Sequence, residues 1–167
     1  ELARRGRFTT PQARIVETIG NPDDQRQISL IAVHAHGIPD DFPESVINET
    51  AGLTPPTMKG REDFRNIPLI TIDPADARDH DDAVFAEPDT AAENPGGHIV
   101  LVAIADVAHY VQPGDPLDRE ALERGNSVYF PDRVVPMLPE VLSADVCSLR
   151  AGADRAAMAC HLEIAAD

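Results

Sequence analysis

The clearest pattern of hydrophobic and polar positions lies after residue 66 and predicts strands. An apolar run at 67–72 predicts one strand, in which Pro68 is tolerated near the start or at a sheet edge. A second strand begins at 83–86, and a polar loop follows at 87–97. The nearly continuous apolar, β-branched run at 98–107 predicts a central strand that is buried on both faces.

A helix and a last strand follow this central strand. Asp115 and Pro116 are typical of a helix start, with Asp115 as the N-cap and Pro116 at the first helical position. Gly125 ends this helix. Near the end of the chain, apolar residues alternate with other residues over 158–165, which predicts a half-buried strand.

The pattern before residue 66 is weaker. It predicts a strand at 14–19 and a short helix at 43–51. The segment 27–36 is compatible with a helix or a strand, and Gly37 suits the position just after a helix. The polar stretch 53–66 is predicted to be a connector. We therefore expect a mixed α/β core in the second part of the chain, preceded by the tail of another domain.

Composition limits the classes of protein that fit this pattern. The chain has 167 residues, 43% of them hydrophobic and 26% charged, which suits one packed domain or a domain and part of another. No apolar run is long enough for a membrane span, and the two cysteines do not make a disulfide framework, which suits a reducing, cytoplasmic location. The formal charge of −15 argues against a protein that binds nucleic acid through bulk positive charge alone.

The strongest chemical signal is a cluster of five aspartates within the ten residues 73–82. Aspartate disfavours strands and helix interiors, so this segment is predicted to be a loop. Several short carboxylates at the end of a strand repel one another unless a cation neutralises them. Aspartate oxygens together with retained waters are the ligands that Mg²⁺ prefers, and such sites suit phosphoryl transfer.

Other interpretations of the acidic cluster remain open on spacing alone. A solvated turn is about as compatible with it as a metal site. An EF-hand fits poorly, because the segment 79–82 lacks the glycine and the distal glutamate of that loop.

An ordered series of motifs extends the signal well beyond this loop. Its segments lie at 70–73, 79–84, 102–111, 124–131, 135–140, 142–143 and 147–149. Together they resemble the catalytic signature of the ribonuclease II / ribonuclease R family of 3′-to-5′ exoribonucleases, and most closely its ribonuclease R branch. The resemblance spans roughly residues 66–164.

The resemblance implies a fold and a domain organisation. Residues 66–167 are expected to be the N-terminal part of a ribonuclease II-type catalytic domain, a mixed sheet with helices. Residues 1–36 are similar to the end of an OB-type cold-shock domain, and 37–65 to the helical linker. We expect the chain to be a piece of a longer, monomeric protein and to be inactive, or nearly so, on its own.

The resemblance also implies roles for individual residues. Asp73 and Asp82 match direct metal ligands, and Asp79 matches a ligand or a water-mediated partner. Asp81 matches the carboxylate that the chemical step most requires. Tyr129 matches a tyrosine that stacks on RNA bases near the 3′ end, although a tyrosine in the core remains an alternative.

Four other polar residues near these motifs have no established role. Asp76 lies outside the four aspartates of the family, and His80 is at a variable position. Asp106 and His109 follow the central strand and are compatible either with an acid–base pair or with hydrogen-bonded structure at a strand end.

The resemblance implies a Mg²⁺-dependent exoribonuclease that processively hydrolyses single-stranded RNA to nucleoside 5′-monophosphates. Two alternatives remain: a catalytically silent RNA-binding relative, and a metal-dependent phosphohydrolase of small nucleotides. Intact aspartates at all four positions disfavour the first alternative, and the stacking tyrosine disfavours the second.

Overall fold

The computed structural model describes residues 2–3, 12–13, 15, 25–75 and 77–166. In chain order, its strands and helices are β1 (Leu2–Ala3), β2 (Gln12–Ala13), α1 (Gln25–His36), α2 (Glu44–Thr50), β3 (Asp82–Pro88), β4 (His98–Ala105), α3 (Pro116–Arg124), β5 (Val128–Tyr129), β6 (Val134–Val135) and β7 (Ala157–Ile164). A 3₁₀ turn follows β4 at Val107–His109, and a π-helical turn spans Leu142–Val146. Among the described residues, no helix is both long and apolar enough to cross a membrane.

The chain divides into two compact units, and the first consists of residues 1–40 and 128–135. In this unit β1 pairs antiparallel with β2, and β5 pairs antiparallel with β6. The segment 27–36, which was compatible with a helix or a strand, is part of α1. Apart from Ile15, which is not in a strand, the predicted strand at 14–19 lies outside the described residues.

The end of α1 has the geometry that its sequence predicts. Gly37 has a φ of 64°, which a glycine adopts without steric cost. Gly37 N–H donates to the His34 carbonyl, and Ile38 N–H donates to the Val33 carbonyl at 2.9 Å. These bonds satisfy carbonyl groups that the helix end would otherwise leave unpaired.

The second unit, residues 41–127 and 136–167, contains an antiparallel sheet in the order β3-β4-β7. One face of β4 is buried, with Leu101 at 1% and Ala103 at 2% exposure. On the opposite face of β4, Val100 and Val102 are only half-buried and Ile104 is 44% exposed. Met158, the β7 partner of Ile104, is 64% exposed. The prediction that β4 is buried on both faces is therefore wrong. The prediction of a half-buried β7 is wrong as well, because every residue of β7 after Ala157 is exposed.

The predicted strand at 67–72 is also wrong. In this segment only Ile70 pairs with another strand, in an isolated bridge to Val84. Pro68 has no N–H to donate to a ladder, and Ile72 is 80% exposed. Strand β3 runs to Pro88, past the predicted start of the polar loop at 87.

Helices α2 and α3 and the π-helical turn enclose the core of the second unit. Its fully or almost fully buried members include Val46, Leu117 and Leu142. Helix α3 has the predicted bounds, but the Asp115 side chain does not cap it. Glu49 of α2 caps it instead, because Leu117 N–H donates to Glu49 Oε2 at 2.9 Å. The combination of helices and a sheet confirms the predicted α/β class.

Candidate active site

The four predicted catalytic aspartates lie on one loop that a pair of hydrogen bonds closes. Ile70 N–H donates to the Val84 carbonyl at 3.0 Å, and Val84 N–H donates to the Ile70 carbonyl at 2.8 Å. Within the loop, Ala77 N–H donates to the Pro74 carbonyl at 3.0 Å and forms a turn. We call residues 71–82 the acidic loop. Its two ends are fixed to each other at the start of the sheet.

The backbone of the acidic loop is also attached to the segment that follows the π-helical turn. Ser148 Oγ accepts a hydrogen bond from His80 N–H at 3.2 Å and donates to the Arg78 carbonyl at 3.0 Å. Leu149 N–H donates to the His80 carbonyl at 2.7 Å. Ser148 has 0% exposure, and its two bonds to the loop are partly buried. Sequence reasoning gave Ser148 no role, although it lies inside one of the quoted motifs.

Asp73 is the most enclosed of the four aspartates, with 13% side-chain exposure. A hydrogen bond from the Thr71 hydroxyl, followed by the contact with His80, lowers the pKa of Asp73 below its usual range. His80 Nδ1 lies 2.9 Å from Asp73 Oδ2, which is within ion-pair distance. The two atoms do not have the geometry of a hydrogen bond to each other. Neither atom has a hydrogen-bond partner elsewhere among the described residues. His80, for which the sequence indicated no role, is therefore a direct neighbour of a predicted metal ligand.

The other three aspartates present their carboxylates to solvent. Asp79, Asp81 and Asp82 are all exposed. The Asp81 carbonyl accepts a hydrogen bond from Ala105 N–H at 2.8 Å, so the loop backbone is held against the end of β4. Asp82 is the first residue of β3 and pairs with Ile104 in the ladder. The loop thus combines a fixed backbone with side chains that are free to bind ligands.

The predicted metal ligands Asp73, Asp79 and Asp82 share this loop, but they do not form a closed cage. Within residues 25–75 and 77–166, no group of three or more His, Cys, Asp or Glu side chains converges on one point where it could hold a metal ion. The residues nevertheless fit Mg²⁺, because that ion keeps several waters and needs only one or two carboxylates. Asp73 Oδ2 is buried and accepts no hydrogen bond from the described residues, although the His80 ring lies at ion-pair distance, so it is an oxygen that a bound cation would satisfy. The ligand set remains a prediction, and Asp76 lies outside the described residues.

Tyr129 lies in the β5-β6 hairpin of the first unit. Its side chain is 68% exposed, which excludes the alternative of a tyrosine in the core. Phe130 N–H donates to the Arg133 carbonyl at 2.8 Å and closes the hairpin. An exposed aromatic ring at a fixed turn is a suitable surface for a nucleobase.

Asp106 and His109 have structural contacts. Asp106 Oδ2 accepts a hydrogen bond from Arg61 Nη2 at 2.8 Å, which ties the connector to the end of β4. The His109 ring packs edge-on against Tyr110, with 5.0 Å between the ring centroids. The structure therefore favours hydrogen-bonded structure at the strand end over an acid–base pair.

Comparison with protein families gives independent information about both parts of the chain. Residues 61–167 match the RNB domain, and residues 1–43 match a cold shock domain. The chain belongs to the RNB-domain family. These matches confirm the catalytic domain and the cold-shock segment that the motifs indicated, while the domain boundaries after residues 36 and 65 remain predictions.

The individual proteins that this chain resembles are ribonuclease R enzymes. Ribonuclease R of Acidithiobacillus ferrooxidans is 50% identical over 158 residues, which cover 92% of this chain and 35% of that protein. RNase R of Mycoplasma genitalium in complex with ribose-methylated single-stranded RNA matches with a TM-score of 0.78 at 31% identity, over 87% of this chain and 22% of that one. The same enzyme in complex with double-stranded RNA matches with a TM-score of 0.80 at 31% identity, over 89% and 26%. The chain thus spans about a third or less of the length of these relatives.

Proposed function

We propose that the protein containing this chain is a Mg²⁺-dependent 3′-to-5′ exoribonuclease that hydrolyses single-stranded RNA processively to nucleoside 5′-monophosphates. The observation that carries the proposal is an acidic loop with all four family aspartates, held on a fixed backbone within the RNB domain. The chain is also 50% identical to a ribonuclease R over 158 residues. The exposed Asp79, Asp81 and Asp82 are accessible to a polymeric substrate.

The four aspartates have distinct roles in this proposal. Asp73 and Asp82 would hold the ion directly, and Asp79 would do so directly or through a water. When bound, Mg²⁺ supplies a more acidic water and screens the charge of the phosphate. Asp81 positions the scissile end of the RNA, for which its exposed carboxylate and its hydrogen-bonded backbone are suited. Asp73 is ionised near neutral pH, as a ligand must be, and the Thr71 hydrogen bond lowers its pKa further.

Tyr129 supplies binding that does not depend on sequence. Its exposed ring can stack on any base, because every base has an aromatic face, and one stack contributes about 1–3 kcal/mol. Contacts to the ribose 2′-hydroxyl would favour RNA over DNA. This mode of recognition suits an enzyme that removes nucleotides regardless of sequence.

The proposal is tested with the full-length protein and a 5′-labelled single-stranded oligoribonucleotide. We expect progressively shorter labelled products and release of nucleoside 5′-monophosphates with Mg²⁺, and neither product with EDTA or with a DNA oligonucleotide of the same sequence. Internal cuts, or a labelled mononucleotide as the first product, would contradict the 3′-to-5′ direction. RNA binding without hydrolysis would identify a silent relative, and faster hydrolysis of free nucleotides would identify a small-nucleotide phosphohydrolase.

A further inference from the structure

We infer that Ser148 is a positioning residue of the acidic loop: its buried hydroxyl fixes the backbone on both sides of Asp79, so that the carboxylates are held ready for a divalent cation. This inference rests on the proposed function, because it takes the acidic loop to be the metal site. Ser148 itself does not touch substrate or metal in this account.

The hydroxyl of Ser148 uses both of its hydrogen-bonding capacities on the acidic loop. It donates to the Arg78 carbonyl at 3.0 Å and accepts from His80 N–H at 3.2 Å. Only Asp79 lies between those two groups. The peptide unit before Asp79 and the peptide unit after it are therefore both fixed by one oxygen atom.

Two further hydrogen bonds continue this pattern along the loop. Leu149 N–H donates to the His80 carbonyl at 2.7 Å, and Ala105 N–H donates to the Asp81 carbonyl at 2.8 Å. Each of the consecutive peptide units between Arg78 and Asp82 thus has a fixed partner outside the loop. Such a continuous set of bonds is more than a buried serine needs in order to satisfy its own hydroxyl.

We call the four hydrogen bonds that join Ser148, Leu149 and Ala105 to the acidic loop the clamp. The side of the clamp that carries Ser148 is itself fixed. Ser148 N–H donates to the Asp145 carbonyl at 3.0 Å, and the Ser148 carbonyl accepts from Arg155 Nε at 3.1 Å. The preceding Cys147 is 4% exposed and belongs to the core, and its N–H donates to the Leu142 carbonyl at 3.0 Å. The loop is therefore attached to the core of the unit and not to another surface loop.

The clamp opposes the electrostatic repulsion between the carboxylates of the acidic loop. Without a cation, Asp79, Asp81 and Asp82 repel one another, and an unrestrained loop would move them apart. Backbone bonds oppose that movement without occupying the carboxylate oxygens. A loop held in this way loses less conformational freedom when it binds an ion, which raises the affinity.

The first test measures the clamp directly in the full-length protein. Amide hydrogen exchange of the peptide that covers residues 77–84 is compared between wild type, Ser148→Ala and Ser143→Ala. Ser143 is the matched control, because its hydroxyl approaches only the Pro139 carbonyl at 3.5 Å, within its own helical turn. We expect exchange in this peptide to rise about tenfold or more in Ser148→Ala and to be unchanged in Ser143→Ala. Unchanged exchange in Ser148→Ala would overturn the inference.

The second test measures the consequence for the metal. Mn²⁺ binding is followed by electron paramagnetic resonance, and kcat and KM are measured on single-stranded RNA at increasing Mg²⁺. Ser148→Ala is expected to weaken Mn²⁺ binding about tenfold and to lower kcat, with KM for RNA unchanged and kcat partly restored by more Mg²⁺. Ser148→Cys, of similar size and with weaker hydrogen bonds, is expected to lie between Ser148→Ala and wild type, and it provides the test if Ser148→Ala does not fold.

Two outcomes would refute the metal-positioning role. One is a Mn²⁺ affinity of Ser148→Ala that lies within twofold of the affinity of Ser143→Ala. The other is a rise in the KM of Ser148→Ala for RNA while its Mn²⁺ affinity is unchanged. The exchange and Mn²⁺ readouts do not require hydrolysis. If the wild-type protein binds Mn²⁺ but does not cut RNA, the proposed function fails, and these two readouts still decide whether Ser148 positions the loop.

Discussion

Replacement of Leu142 by alanine should loosen the core that supports the acidic loop. Leu142 has 0% exposure and belongs to the same cluster as Cys147. The substitution removes three carbons, or about 2.4 kcal/mol of transfer free energy at ~0.8 kcal/mol per carbon. The cavity that remains adds to this loss, and buried Leu→Ala changes cost about 2–5 kcal/mol in total. We therefore expect the free energy needed to open the core cluster around Leu142 and Cys147 to fall by about 3 kcal/mol.

The thiol of Cys147 provides a local assay for this change. Burial raises the pKa of Cys147 to about 11, so the folded thiol is protonated and shielded near neutral pH. Alkylation then proceeds through transient opening of the cluster, and a loss of about 3 kcal/mol accelerates it about 150-fold. Mass spectrometry of the peptide that contains Cys147 gives the rate. The exposed Cys160 should react rapidly in every variant and serves as an internal reference.

Leu122→Ala is the matched control. Leu122 lies on α3 with 82% exposure, so its truncation should change stability by less than about 0.5 kcal/mol and alkylation about twofold or less. Equal alkylation rates of Cys147 in Leu142→Ala and Leu122→Ala would show that the Leu142 cluster does not support the segment before Ser148.

Three further predictions test other parts of the molecule. Tyr129→Ala in the full-length protein should weaken binding of single-stranded RNA about 5- to 150-fold by fluorescence anisotropy, whereas Tyr129→Phe should retain it, because the ring does the stacking. The Ser29 hydroxyl, followed by Arg133, lowers the pKa of Asp132 below its ordinary value of 3.8. This carboxylate therefore stabilises the fold above about pH 4 and loses that effect as the pH falls through its folded pKa. The difference in melting temperature between wild type and Asp132→Asn should shrink below about pH 4. The isolated 167-residue chain should show no Mg²⁺-dependent hydrolysis of a labelled oligoribonucleotide, because it covers 35% or less of its relatives; measurable degradation would contradict this.

Features that depend on local sequence were predicted well. The bounds of α3 follow from Pro116 at the start and Gly125 at the end, where φ is 73°. Strand β4 lies where the β-branched run places it. The aspartates form a loop, as their low strand and helix propensities indicate.

Features that depend on distant partners were not predictable from local patterns. The run at 67–72 has the composition of a strand, but only Ile70 pairs with another strand. Pro68 has no N–H to donate on one side, and Ile72 is 80% exposed on the other. The open faces of β4 and β7 have apolar sequences that suit burial, and nothing in the described residues covers them. Asp115 has the sequence of an N-cap, yet Glu49 from another helix provides the capping contact.

The candidate site shows the same division. The motifs identified the acidic loop and its four aspartates, since all of these lie within a short stretch of sequence. The Ser148 clamp joins residues that are 70 positions apart, at Arg78 and Ser148, and no periodicity or spacing relates them. The contact of His80 with Asp73 depends on the turn within the loop, and therefore became visible only in the structure.

The most direct test of the proposed function is the turnover of Asp81→Asn in the full-length protein. Asp154→Asn is the matched control, because Asp154 is an exposed aspartate whose carboxylate pairs only with the exposed Arg65. We predict that kcat on single-stranded RNA falls at least about a hundredfold in Asp81→Asn, with RNA binding unchanged, and that Asp154→Asn retains wild-type turnover. Turnover near wild type in Asp81→Asn would contradict the assignment of the acidic loop as the catalytic centre.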